Sequence, residues 1–209
     1  MKIFVSGTDT DAGKSYATGY LARTLADEGC RVITMKFVQT GNHDYSEDSE
    51  VHRRIMGIGM QPVDLDHTTA PVIFSYPCSP QLAARIDGRD IDLGIIDRAA
   101  DRLDSLYDVT LIEGAGGLMV PLTDDFWAID YPATRRLPVA FVTNGRLGSI
   151  NHTLLGLEAL RQHGIEVAWL LYNTRFDTDP VIVDDTRAFI RRYLARTSPS
   201  ARWLDIPSL

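Results

Sequence analysis

Three short segments carry side chains suited to phosphates and other anions. The first is Gly7-Thr-Asp-Thr-Asp-Ala-Gly-Lys-Ser15, in which Gly13, Lys14 and Ser15 set a small residue, an ammonium and a hydroxyl in series. At a helix start the backbone N–H groups favour an anion, Lys14 adds positive charge, and the Ser15 hydroxyl can ligate Mg²⁺. The loop has one residue more between its glycines than the common G-x-x-x-x-G-K-S/T pattern, with Thr8 at the usual first-glycine position, so a longer cradle is expected. The second segment, Glu113-Gly-Ala-Gly-Gly117, offers an acid that would complete a Mg²⁺ site and glycines that let backbone approach a ligand. The third places Lys36 directly after an apolar run and ahead of Thr40-Gly41. A lone strand-end lysine is more often a snorkelling surface residue, and a lone glycine-rich turn is weak evidence. Together they describe a nucleotide site with a second cation beside the phosphates.

Such residues need a frame that brings them together. Apolar runs of strand length recur at 3–5, 32–35, 109–112, 139–142 and 167–172, and runs of this kind suit strands covered on both faces. Helical spacing of apolar residues fills 14–28, 92–106 and 151–163, with Gly29 and Gly164 as stops. Alternating strands and helices predict an α/β fold, a mostly parallel doubly wound sheet flanked by helices, over 1–209 as one domain. Ligands of such sheets bind at the carboxyl ends of the strands, where residues 7–15, 36–41, 113–117 and 144–151 all lie. The proline-rich stretch 60–80 reads as an irregular excursion that either folds over a ligand or crosses the sheet.

Composition narrows the function. With 44% hydrophobic and 23% charged residues the chain has the make-up of a globular protein, and its net charge of −7 argues against a general nucleic-acid binder. The pairs Arg53-Arg54, Arg135-Arg136 and Arg191-Arg192 read as solvated faces. No stretch approaches membrane-spanning length, and no signal-peptide pattern precedes the first strand. Cys30 and Cys78 lack metal-ligand spacing and read as reduced thiols, so a cytoplasmic location is expected.

In order and spacing the segments resemble the dethiobiotin synthetase family, ATP-dependent P-loop ligases of biotin biosynthesis. The resemblance rests on residues 7–15, on Lys36-Phe-Val-Gln-Thr-Gly41, on Glu113-Gly-Ala-Gly-Gly-Leu-Met-Val-Pro-Leu122 and on Leu147-Gly-Ser-Ile-Asn-His152, and it covers the chain to about Asn173. The longer first loop belongs to the family pattern. The implied reaction joins CO2 to the two neighbouring amines of diaminopelargonic acid, with ATP and Mg²⁺ as cofactors. A carbamate forms, takes the γ-phosphoryl group, and is closed to a cyclic urea by the second amine.

Carried over by motif position, Lys36 binds the carbamate, Lys14 follows the phosphoryl group, and Thr10 and Thr40 offer hydroxyls to the diamine or carbamate. Asp11, Ala12, Gly13, Lys14, Ser15, Tyr16, Gly114, Ala115 and Gly116 fall on the nucleotide, with Asn173 reading the adenine edge and Ile206-Pro207 on the nucleotide side. Ser15, Asp48 and Glu113 hold Mg²⁺, with Asp44 in reserve for Asp48. Gly117 faces the substrate. Its carboxylate is received at a homodimer interface by Leu147, Gly148, Ser149, Ile150 and Asn151 of the neighbouring subunit, while His152 reads as a structural helix residue. Asp9 is expected to organise its turn by a side-chain bond to backbone, and Asp11 holds the family's acidic position. The sequence departs from the pattern at Phe37 for proline, Ser15 for threonine and Arg146 for lysine. Two other classes share these features in part: a nucleotide-dependent switch or partition-type ATPase, and a glutamine-dependent amidating ligase.

Overall fold

The computed structural model describes residues 1–208. Strand β1 (Lys2–Gly7) leads through a short 3-10 turn into α1 (Lys14–Asp27), followed by β2 (Val32–Lys36), β3 (Gln39–Thr40), α2 (Glu47–Met56) and α3 (Pro62–Leu65). Then come β4 (Ile73–Phe74), α4 (Pro80–Asp87), α5 (Leu93–Leu106), β5 (Val109–Glu113), α6 (Asp130–Arg135) and β6 (Val139–Asn144). The last described elements are α7 (Ser149–Gln162), β7 (Val167–Asn173), α8 (Pro180–Thr197) and β8 (Arg202–Ile206).

The principal sheet has the order β2-β5-β1-β6-β7-β8, and every neighbouring pair in it is parallel. Parallel strands need crossovers, which here carry the helices to both faces and bury the strands on both sides. One core, with Phe4, Ile33, Met35, Ile112, Phe141 and Leu170, lies under α5 and α7; the other, with Ile3, Val5, Leu21, Leu111, Val142 and Leu171, lies under α1. Side chains of adjacent strand residues thus serve opposite cores, which explains the unbroken apolar runs in the sequence. The register pairs Lys36 with Glu113 and Val5 with Glu113, so the three chemistry-bearing segments leave the sheet at one end.

Three elements differ from the sequence reading. The 60–80 stretch is ordered by the sheet edge: Thr69 and Val72 carbonyls accept from the Lys36 and Gln39 amides, and β4 pairs with β3. It runs beside β2, and none of its residues lines the main cleft described below. Arg53 is no solvated residue but is 2% exposed. Its guanidinium donates to both Asp64 carboxylate oxygens, at 2.8 and 2.7 Å, and to Thr34 Oγ1 at 2.7 Å, so a fork-shaped cation ties α2 to α3 and β2. Finally β8, too polar to read as a strand, pairs with β7 and is covered by cations stacked on rings, Arg202 over Trp169 and Arg191 over Trp203. Cys30 and Cys78 are free thiols, and among the described residues no helix is long and apolar enough to cross a membrane.

Candidate nucleotide and metal site

Gly13 ends the 3-10 turn in the left-handed region, φ +88°, and starts α1. A Cβ at that position would run into Asn173 Nδ2, so glycine is required by both backbone and space. Asn173, at the end of β7, donates to the Ala12 carbonyl at 3.0 Å and accepts from the Arg175 amide at 3.1 Å. The loop after β1 is thereby buttressed from β7, which lies beyond β6 in the sheet. Lys14 folds back over the loop, its Nζ 2.7 Å from the Asp9 carbonyl and 3.4 Å from that of Thr10. Burial pushes its pKa down to about 8; Lys36 adds to that shift, and Glu113, Asp9 and Asp48 oppose it. The Asp9 side chain makes no turn bond: its Oδ1 is buried without a partner, and the residue organises the loop through its carbonyl instead.

Ser15, Lys36, Asp48 and Glu113 meet at one point. Ser15 Oγ lies 2.6 Å from Asp48 Oδ1 and 3.0 Å from Glu113 Oε1. Lys36 Nζ lies 2.5 Å from Asp48 Oδ2 and 2.7 Å from Glu113 Oε1. Burial alone would strip the charge from both Lys36 and Glu113, but their mutual attraction wins: the lysine pKa is raised and the glutamate is held far below the ordinary carboxylate range, helped by His52. Two carboxylates and a hydroxyl form a hard oxygen set, the donor chemistry that Mg²⁺ takes when water and phosphate complete its shell. Among the described residues no three His, Cys, Asp or Glu converge as a metal cage, so the fit is to an ion of that shared kind.

The cluster opens on a cleft of about 590 Å³ lined by Thr10, Asp11, Gly13, Lys14, Ser15, Tyr16, Lys36, Thr40, Asp48, Glu113, Ala115 and Gly116. Arg146 and Phe176 close its far side, the guanidinium carbon 3.8 Å from the ring centroid.

A family model described as an AAA domain matches residues 1–197. The ATP-dependent dethiobiotin synthetase BioD of Chlorobaculum tepidum is 48% identical over 192 residues, covering 92% of this chain and 80% of the relative. BioD 2 of Haemophilus influenzae is 47% identical over 186 residues, 89% of this chain and 97% of that one. The chain belongs to the dethiobiotin synthetase family. The fold itself extends further, to a ParA family ATPase from Chlorobium tepidum with a TM-score of 0.51 at 17% identity, over 96% of this chain and 83% of that one.

Relative to the dethiobiotin synthetase pattern, the remaining residues divide by location. Ala12 and Gly114 are buried beneath the cleft, where a Cβ on Gly114 would lie 2.8 Å from Phe4 Cζ. Gly117 faces a second cavity of about 420 Å³ on the other side of the loop, with Thr8, Asp9, Leu118, Met119, His152 and Leu155. Pro207 joins Asp11, Gly13, Tyr16, Asn173, Arg175 and Phe176 around a third, of about 300 Å³, while Ile206 is buried behind it. Leu147 is 91% exposed, Gly148 caps α7 at φ +91°, and Ser149, Ile150 and Asn151 form its first turn, outside the main cleft. Asp48 sits in the cluster; Asp44 is exposed and does not line the cleft.

One residue at the cluster escapes the motif reading. His52, fully buried on α2, sets Nε2 2.6 Å from Glu113 Oε2. Its spacing of four residues from Asp48 puts both on one helical face, the signal by which it is found.

Proposed function

We infer that the protein is an ATP-dependent ligase that closes diaminopelargonic acid and CO2 into dethiobiotin, releasing ADP and phosphate. The observation that carries this reading is Lys36, a buried cation fixed between two carboxylates at the end of β2, within reach of the phosphate loop. The names of the relatives that match nearly the whole chain support it.

In this reading one amine attacks CO2 and loses a proton, leaving an anionic carbamate that Lys36 holds. The carbamate oxygen displaces ADP from the γ-phosphorus, and Lys14 accompanies the travelling charge. The second amine then attacks the carbonyl carbon, phosphate departs, and the ring closes. Preorganised cations near developing negative charge are the main source of acceleration in such transfers. Mg²⁺, when held by Ser15, Asp48 and Glu113, supplies charge neutralisation at the phosphates. Thr10 and Thr40 orient the diamine. The base lies in the cavity between Tyr16, Asn173 and Pro207.

The functional unit in this reading is a homodimer in the cytoplasm. Met119 and Leu155, 58% and 63% exposed, line the second cavity, and Leu147 is 91% exposed just ahead of α7, apolar surface that a second copy would cover. The Ser149 amide donates to the Arg146 carbonyl, and the amides of Ile150 and Asn151 in the first turn of α7 then receive the substrate carboxylate from the neighbouring subunit. A partition-type switch also uses this fold, but it has no need of Lys36 and Thr40 beside the phosphates.

Purified protein given ATP, Mg²⁺, bicarbonate and diaminopelargonic acid should form dethiobiotin with one phosphate released per ring. Diamine-independent hydrolysis with no cyclic urea by mass spectrometry overturns the ligase assignment.

A further inference from the structure

His52 has no part in the reaction as drawn, yet it is the most deeply buried group touching the cluster. Its ring lies on the side of Glu113 away from the cleft, Nε2 2.6 Å from Oε2, while Lys36 and Ser15 take Oε1. The other nitrogen, Nδ1, is buried and has no partner. A ring with its proton on Nδ1 would bury an unpaired N–H and point a lone pair at a carboxylate; a ring with its proton on Nε2 leaves only an unpaired acceptor and donates to Oε2. The second arrangement is the favourable one.

The helix bearing His52 is itself held. Gly19 of α1 faces it so closely that a Cβ there would lie 3.2 Å from the His52 Cα and 3.0 Å from the Ile55 Cβ. On the other side Arg53 is pinned by Asp64 and Thr34. The backbone that carries the imidazole is therefore held in place beside Glu113.

We propose that His52 is a positioning residue: by donating from Nε2 to Glu113 Oε2, it locks the carboxylate in one rotamer and reserves Oε1 for the metal and for Lys36. Outer partners of this type orient metal ligands, and their loss typically weakens metal binding roughly ten- to a hundredfold. The inference rests on the reading of Glu113 as a Mg²⁺ ligand.

The test uses Mn²⁺ as a spectroscopic stand-in for Mg²⁺, titrated into the full-length protein with ADP and followed by electron paramagnetic resonance. His52→Leu keeps bulk without a donor, and His52→Gln restores an N–H near the Nε2 position. The leucine variant should bind Mn²⁺ at least tenfold more weakly while melting within a few degrees of the parent, and the glutamine variant should recover most of the loss. A folded leucine variant with parental Mn²⁺ affinity overturns the proposal, as does a glutamine variant as weak as leucine, which would make the role one of packing. If the parent itself binds no Mn²⁺ with ADP, the metal reading of Glu113 is what fails. A measurement needing no variant covers the case of poor folding: long-range proton–nitrogen spectra of the parent should show His52 protonated on Nε2, and a ring without that proton overturns the assignment.

Discussion

Lys36 and Lys14 are both buried lysines beside the same two acids, yet the protein treats them oppositely. Lys36 touches both carboxylates and keeps its charge, whereas Lys14 touches only carbonyls and has its pKa lowered to about 8 by burial. Two predictions separate their roles. Lys36→Ala should lower kcat by roughly two to three orders of magnitude, the scale of losing one preorganised charge-stabilising group, while ADP binding by calorimetry changes by less than about threefold. Normal turnover in that variant removes Lys36 from the chemistry. For Lys14 the sign follows from the charged form being the phosphate binder: below pH 8 the free protein holds it protonated, and a bound anion raises its pKa. ADP affinity should therefore be flat below about pH 7, bend near pH 8 and be about tenfold weaker at pH 9 than at pH 7, by proton linkage. A flat profile to pH 9.5 would show that Lys14 does not sense the phosphates. At this scale the sequence is informative, because glycine, lysine, serine and glutamate at strand ends are chosen by chemistry and recur as motifs. It is silent on His52 and misreads Arg53 as solvated, since both roles exist only through partners on distant segments, and it misplaces Asp9, whose carbonyl rather than carboxylate does the bonding.

Helix α2 is the element on which the site depends most and the one least visible in the sequence. Its residues, Glu-Asp-Ser-Glu-Val-His-Arg-Arg-Ile-Met, look like a solvated helix start, with an N-cap Ser46 bonded to the Ser49 amide and acids in the first turn. Hydrophobic periodicity has nothing to report there, because the inward face is polar: Asp48, His52 and Arg53 point at the site or beneath it. The strands β1, β2, β5, β6 and β7, by contrast, are legible to within a residue or two, since double-sided burial selects unbroken apolar runs. The buried Arg53–Asp64 pair gives α2 its position, and removing one partner leaves an uncompensated charge. Arg53→Met alone should lower stability by about 3–5 kcal/mol in urea titration, while adding Asp64→Leu to it should restore a large part of that loss. If the double variant is no more stable than the single one, the pair does not act as a unit. Gly19→Val should reduce stability by about 1–3 kcal/mol through overpacking against Ile55 and should weaken Mn²⁺ binding with it, since α2 carries Asp48 and His52 away together.

For the whole molecule, the prediction concerns assembly. Leu155 lies on α7, beside the second cavity and away from the main cleft. Leu155→Asp should turn a dimer in sedimentation into a monomer, and the monomer should keep ADP binding while losing diamine turnover. A parent that sediments as a monomer yet is fully active would remove the interface from the reading. Sheet order carries one further consequence. The acid–lysine cluster stands over β2 and β5, the phosphate loop over β1, and the base-side cavity over β7 and β8, at opposite borders of a sheet six strands wide. At about 4.8 Å between neighbouring strands the sheet is roughly 24 Å across. A nucleotide bound as proposed lies across most of that width, like a batten nailed over the ends of parallel planks. Each border strand pairs with a strand of the sheet on one side only, and without the batten the β8 border and the β2–α2 border are coupled through α1, which packs against β2, α2 and β8. With it in place they should breathe together more closely than through α1 alone, so that amide exchange at the two borders slows in step.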